Sequence, residues 1–248
     1  MITETERTGM DDAATVEAPP PQASLWEDFI EIFFAPSEVF ARRRDGRFWL
    51  ALIVLTVLVG VLFYASQGPL AGVFEGEFRR GMERAAANGN RMTDEQMAQA
   101  RAISERFAPF LVVVSVFVGT LLMGVVIWAA SKIFGSVASL AVATAIAALS
   151  QFPKILQSAL NIVQGVMFEP QSLADISFGP ARFLDAETAS PVLAAMLLRF
   201  DLFILWPTVL IAIGLVVAAR MEKTNAAIVA AIVWLLGALP TVGPALMG

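Results

Sequence analysis

Six polar side chains interrupt an otherwise apolar stretch: Ser150, Lys154, Gln157, Ser158, Asn161 and Gln164. They recur at steps of three and four, which puts them on one face of an α-helix. Lys154 can pair with an anion, and the amides and hydroxyls can donate and accept hydrogen bonds. On a functional reading, Lys154, Gln157, Asn161 and Gln164 line a cavity or a channel-like conduit, because an ionisable residue inside a membrane helix defaults to a functional hypothesis. On a structural reading, Lys154 snorkels to the interface and the amides bond neighbouring helices. Pro153 should kink or break the helix within the stripe. Asp201, two residues after Arg199, is the acid best placed to neutralise Lys154. Both lie roughly 25–30 Å along their helices from the same end at 1.5 Å per residue, so a buried pair is expected.

Other chemistry is scarce. The 248 residues include no histidine and no cysteine, which removes the commonest general base, the commonest transition-metal ligand, thiol nucleophiles and disulfides. There is no phosphate-cradling glycine loop, no HExxH and no basic-aromatic strip for nucleic acid. No catalytic, cofactor-binding or metal-ligating residue is assigned, and a non-enzymatic protein without a cofactor is expected.

The elements that must position the stripe follow from composition. Hydrophobic residues make up 57% of the chain and charged ones 16%, with a mean hydropathy of +0.71. That excludes an ordinary soluble domain. Charge-free runs cover Phe48 to Phe74, Phe107 to Ser131, Leu202 to Ala219 and Thr224 to Gly248, and Ile133 to Phe168 is broken only by Lys154. At about 20 residues per crossing these predict an all-α, polytopic bundle of five transmembrane helices. Helices are placed near 48–65, 108–130, 137–168, 192–219 and 226–243. No period-two alternation supports a barrel.

Arg42, Arg43, Arg44 and Arg47 directly precede the first span, and the positive-inside rule then puts the N-terminus in the cytoplasm and, after five spans, Gly248 outside. The turn from Glu169 to Glu187, with four acids against Arg182, agrees in sign, whereas the loop from Gln67 to Arg106 balances six arginines with six acids. That 66–107 region reads as an extramembrane helical pair, 74–87 and a helix capped by Thr93-Asp-Glu-Gln96, separated by Asn88-Gly89-Asn90.

Residues 1–24 form an acidic tail whose Pro19, Pro20 and Pro21 suit disorder, without the basic start and apolar core of a secretory signal. Residues 25–47 read as interfacial helices. Ser24-Leu-Trp-Glu27 fits a capping box, Trp26, Phe29, Ile30, Phe33 and Phe34 form an apolar face opposite Glu27, Asp28 and Glu31, and Pro36 starts a second short helix. Its arginines, Arg42, Arg43 and Arg44, with Arg47, are expected to meet anionic lipid headgroups, at about 1 kcal/mol each. This segment is either a topological anchor on the lipid bilayer or a surface that docks a membrane or cytoplasmic protein partner.

Three stretches carry a resemblance. Phe33-Phe-Ala-Pro36-Ser-Glu-Val-Phe40 precedes Arg47-Phe-Trp49; Lys132-Ile-Phe-Gly135 is followed by Gln151-Phe-Pro153; and Phe200-Asp-Leu-Phe-Ile-Leu-Trp206 leads through Ile213-Gly214 to Lys223. In this order the chain resembles the Yip family, the Ypt- or Rab-interacting membrane proteins, in its bacterial branch. The resemblance covers residues from about Trp26 to the end and implies five transmembrane helices with a cytoplasmic N-terminus. It carries over no catalytic residue. The tyrosine-rich and Asp-Leu-Tyr-Gly-Pro-like signatures of the eukaryotic, GTPase-associated relatives are absent, Tyr64 being the only tyrosine. The 14 arginines against Lys132, Lys154 and Lys223, in an alanine-heavy chain, point to a bacterial cytoplasmic membrane. The leading functional expectation is membrane organisation or partner recruitment through the N-terminal segment, and the alternative is a conduit at Lys154.

Overall fold

The computed structural model describes residues 25–87, 89, 93–185, 188–240 and 242–243. All regular elements among them are helices: α1 (Leu25–Glu31), α2 (Pro36–Arg42), α3 (Trp49–Ser66), α4 (Ala71–Ala87), α5 (Asp94–Ile133), α6 (Leu140–Ser150), α7 (Pro153–Phe168), α8 (Pro191–Leu198), α9 (Leu202–Val217) and α10 (Lys223–Leu236), with a 3-10 turn at Pro180–Phe183. The acidic tail 1–24, with Ser24 of the first capping box, lies outside the described residues, as do Asn88 and Asn90 of the loop stop.

The bundle is built around α6. Every residue from Val142 to Ser150 is buried, because α3, α5 and α9 all pack on this short helix. Its alanines let those backbones approach, which is how helices gain dispersion contact where lipid offers no hydrophobic driving force. Gly124 of α5 lies against Thr144, so closely that a Cβ there would stand 2.5 Å from Thr144 Oγ1. Gly214 of α9 likewise receives Ile146 and Phe40. Leu52, Leu55, Ile127, Leu210, Leu215 and Val229 complete the core.

Three stretches are long and apolar enough to cross a membrane: Trp49–Ser66, Asp94–Ile133 and Leu140–Phe168. Pro191–Leu198 and Leu202–Val217 make a fourth if the pair, bent by 48°, is one span. Lys223–Leu236 has only 14 residues, so the five full-length crossings expected from run counting become three or four by length and composition. These helices contact the bilayer: the apolar window of α5 is only 17% buried within the protein, and side chains such as Val61, Phe110 and Leu122 point outward.

Two boundaries differ instructively from run counting. The outer helix and the second span are one 40-residue helix, started by the Thr93 capping box: Thr93 Oγ1 accepts from Gln96 N–H, and Gln96 Oε1 accepts from Thr93 N–H at 2.9 Å. The third region does break at Pro153, leaving α6 and α7 as separate helices. The fourth region also breaks, because Asp201 leaves the helix to cap α9, its carboxylate accepting from Phe203 N–H at 2.8 Å.

Candidate functional site

Asp201 gathers the loop that follows α7. It is 3% exposed, and its carboxylate accepts from Ser177 Oγ–H at 2.9 Å, Phe178 N–H at 2.6 Å, Phe203 N–H, and Gln157 Nε2–H at 3.4 Å. Four donors satisfy a buried carboxylate without a cation. The ion pair expected between Lys154 and Asp201 does not form: helix capping and the returning loop occupy the lone pairs that Lys154 would have used. Phe178 also packs edge-on against Phe203, with centroids 5.0 Å apart.

The rest of the stripe divides. Gln164 is buried, accepts from Arg182 Nη1–H at 2.7 Å and donates to the Ile176 carbonyl at 3.3 Å and to Asn161 Oδ1 at 3.4 Å. Gln157, Asn161 and Gln164 thus belong to a hydrogen-bonded network that ties the 170–183 loop to α7. Lys154 faces the other way. Together with Gln157 and Ser158 it lines a cavity of about 360 Å³, whose remaining wall is Leu55 and Val59 of α3, Ser115, Val116, Gly119, Thr120 and Met123 of α5, and Gln151. Lys154 makes no ion pair among the described residues.

Arg199 lies where α8 and α9 meet. Its Nη2 donates to the Trp234 carbonyl, its guanidinium lies 5.3 Å from the Trp234 ring centroid, and Trp234 Nε1–H donates to the Arg199 carbonyl at 3.3 Å. The bend is thereby pinned to α10 by a cation–π contact and backbone hydrogen bonds.

The N-terminal residues form an inserted hairpin. Phe29 stacks on Phe152 at 4.5 Å, Phe33 meets Trp206 edge-on at 5.5 Å, and Ile32, Val39 and Phe40 are fully or almost fully buried. Trp26, Ile30 and Phe34 point outward, 65–84% exposed. The apolar face expected to be continuous is therefore split into a docked side and an exposed side. Asp28, expected on the polar face, is 0% exposed. It is clasped by Arg42, with Nη2 at 2.7 Å, and by Arg43. Glu31 also pairs with Arg42. Partial burial pulls the Arg42 pKa down, but the hydrogen bonds and charges of Asp28 and Glu31 outweigh it, and the net shift is upward. Arg42 and Arg43 thus bind acids of their own chain, since a buried carboxylate demands a partner. Arg44 Nε–H donates to the Val217 carbonyl at 3.0 Å, and exposed Arg47 pairs with Asp45 at 3.0 Å.

Sequence reasoning missed Asp28, Ser177 and Arg182 as organisers of these clusters. Their partners lie 14 to 24 residues away along the chain, beyond any helical period. Only the bare presence of an acid inside an aromatic helix could have flagged Asp28.

Groups of three or more histidine, cysteine, aspartate or glutamate side chains able to hold a metal ion are absent among the described residues. Neither the curated proteins nor the solved structures provide a match to this chain. The family model of the Yip1 domain matches residues 30–243. That range takes in the hairpin from Ile30, the break at Pro153, the Asp201 cap and α10, so the chain belongs to the Yip1 domain family of multi-pass membrane proteins.

Proposed function

We propose that this protein is a non-enzymatic organiser of a bacterial cytoplasmic membrane, with five spans, a cytoplasmic N-terminus and an external C-terminus, and that it recruits a protein partner through its N-terminal hairpin. Family membership supports the non-enzymatic reading, since Yip1 family members are generally non-enzymatic membrane trafficking proteins. The hairpin carries the second. Phe29, Ile32, Phe33 and the clasped Asp28 hold it rigidly to the bundle, while Trp26, Ile30 and Phe34 stay outside. A rigid platform with exposed aromatic anchors suits protein recognition, because little conformational entropy remains to be lost on binding. Arg42, Arg43 and Arg44, Glu31 and exposed Glu27 surround the platform with mixed charge.

The test is gentle extraction of the tagged full chain from its native membrane beside the triple variant Trp26→Ser, Ile30→Ser, Phe34→Ser. A stoichiometric protein partner present with the first and lost with the second is the expected result. Retention by the triple variant, or purification of the wild-type chain alone, refutes recruitment through this face. The cavity at Lys154 favours a second reading, a conduit, for which solute flux in liposomes altered by Lys154→Met is the required observation.

A further inference from the structure

We infer that the cavity between α5 and α7 binds a long-chain carboxylic acid dissolved in the bilayer, with its head group on the Lys154 amine and its chain along Leu55, Val59 and Met123. Position comes first. Lys154 stands in the first turn of α7, midway along the 29-residue stretch Leu140–Phe168, about 21 Å from the far end of α7 at 1.5 Å per residue and separated from the other end by the whole of α6. That exceeds the reach of its four-carbon stem, so snorkelling to either interface does not relieve the amine. A cation at this depth needs a counter-charge, a backbone carbonyl or water.

Among the described residues the protein supplies no counter-charge. Asp201 is filled by Ser177, Phe178, Phe203 and Gln157. Arg199, the other basic group in this part of the bundle, adds positive charge and has no carboxylate partner among the described residues. The three groups therefore sum to one uncompensated positive charge.

The walls then select the kind of anion. Ser115, Thr120 and Ser158 donate their hydroxyl hydrogens to carbonyls of their own helices, those of Val112, Val116 and Lys154, at 2.7–2.9 Å. Gln151 Nε2–H is turned to Met123 Sδ at 3.0 Å. Lys154 is left as the main free donor, so a hydrated polar solute would lose its water with little to replace it. An amphiphile with one anionic head and an apolar body loses nothing of the kind. The cavity, about 360 Å³, corresponds to about a dozen water volumes at roughly 30 Å³ each, space for a single acyl chain and not for two with a glycerol headgroup. A carboxylic acid can also reach this depth uncharged, whereas a phosphodiester would have to bring its charge with it. Ser115, Gly119 and Lys154 are exposed at the cavity mouth, so a ligand can enter sideways.

The experiment is native mass spectrometry of the full chain released from detergent, titrated with palmitic acid, hexadecanol, phosphatidylglycerol or inorganic phosphate. A one-to-one palmitate adduct is expected, at least tenfold weaker in Lys154→Met, retained in Lys154→Arg, and absent for hexadecanol. Gly119→Leu keeps the amine but fills the mouth, and should abolish the adduct. A Cβ at Gly119 meets no atom within 4 Å, so this variant keeps the proposal testable even where Lys154→Met fails to fold. Equal palmitate binding by wild type, Lys154→Met and Gly119→Leu overturns the inference. So does hexadecanol binding as well as palmitate, or a Lys154-dependent adduct formed only with phosphatidylglycerol or phosphate.

Discussion

Phe29 and Phe152 lie nearly parallel, 14° apart with centroids 4.5 Å from each other, so α1 rests on the residue before the Pro153 break. The break leaves a site where α6 ends and α7 begins, and the hairpin fills it. Phe33 against Trp206 and Phe40 against Gly214 extend the same contact along α9.

Phe29→Ala should loosen the hairpin while leaving the spans inserted. Loss of a buried phenylalanine costs about 3 kcal/mol, of which the ring pair supplies about 1 kcal/mol. Limited proteolysis in mild detergent should cut between residues 25 and 47 several times faster than in wild type. An unchanged digestion pattern would show that Phe152 does not hold the hairpin.

Asp28→Asn removes the charge that two arginines share, leaving Arg42 with Glu31 and Arg43 without a carboxylate partner among the described residues. Breaking such a pair costs about 3 kcal/mol, the low end of the range, because both arginines keep some water. Thermal unfolding in detergent should fall accordingly, and Asp28→Asn combined with Arg43→Met should recover part of the loss. A double variant no better than the single one argues against the shared charge as the cause.

Gly124→Ala should separate α5 from α6. The new Cβ would stand 2.8 Å from the Thr144 Cα, part of a backbone that cannot step aside. Overpacking of this kind costs about 1–3 kcal/mol. Gly119→Ala, five residues earlier on the same helix, where an added Cβ meets no atom within 4 Å, is the neutral control, and the difference between the two unfolding temperatures is the measurement.

Topology can be read directly, because the chain has no cysteine of its own. Single replacements Ser37→Cys and Lys223→Cys should react with a membrane-impermeant maleimide only after permeabilisation. Ala87→Cys and Thr188→Cys should react in intact cells. The reverse pattern would invert the orientation, and Lys223 and Thr188 labelling from the same side would reduce the number of crossings.

Local features were legible in the residues alone. Charge-free runs marked the apolar helices, the three- and four-residue spacing put Lys154, Gln157, Asn161 and Gln164 on one helix, Pro153 marked a break because proline lacks the N–H a continuing helix needs, and Thr93 with Gln96 marked a start because both partners of a capping box lie within one turn. Which groups meet depended on the fold. Depth along a helix follows from counting residues, and it placed Lys154 level with Asp201. Whether they touch depends on the rotation of each helix about its axis and on the path of the 170–183 loop, which brings Ser177 and Phe178 to Asp201 first. Likewise, Arg42 and Arg43 close on Asp28, which folding buries between them. A charge withdrawn from water takes the nearest partner that the fold supplies, and that choice is made by packing at long sequence separation, where no periodicity records it.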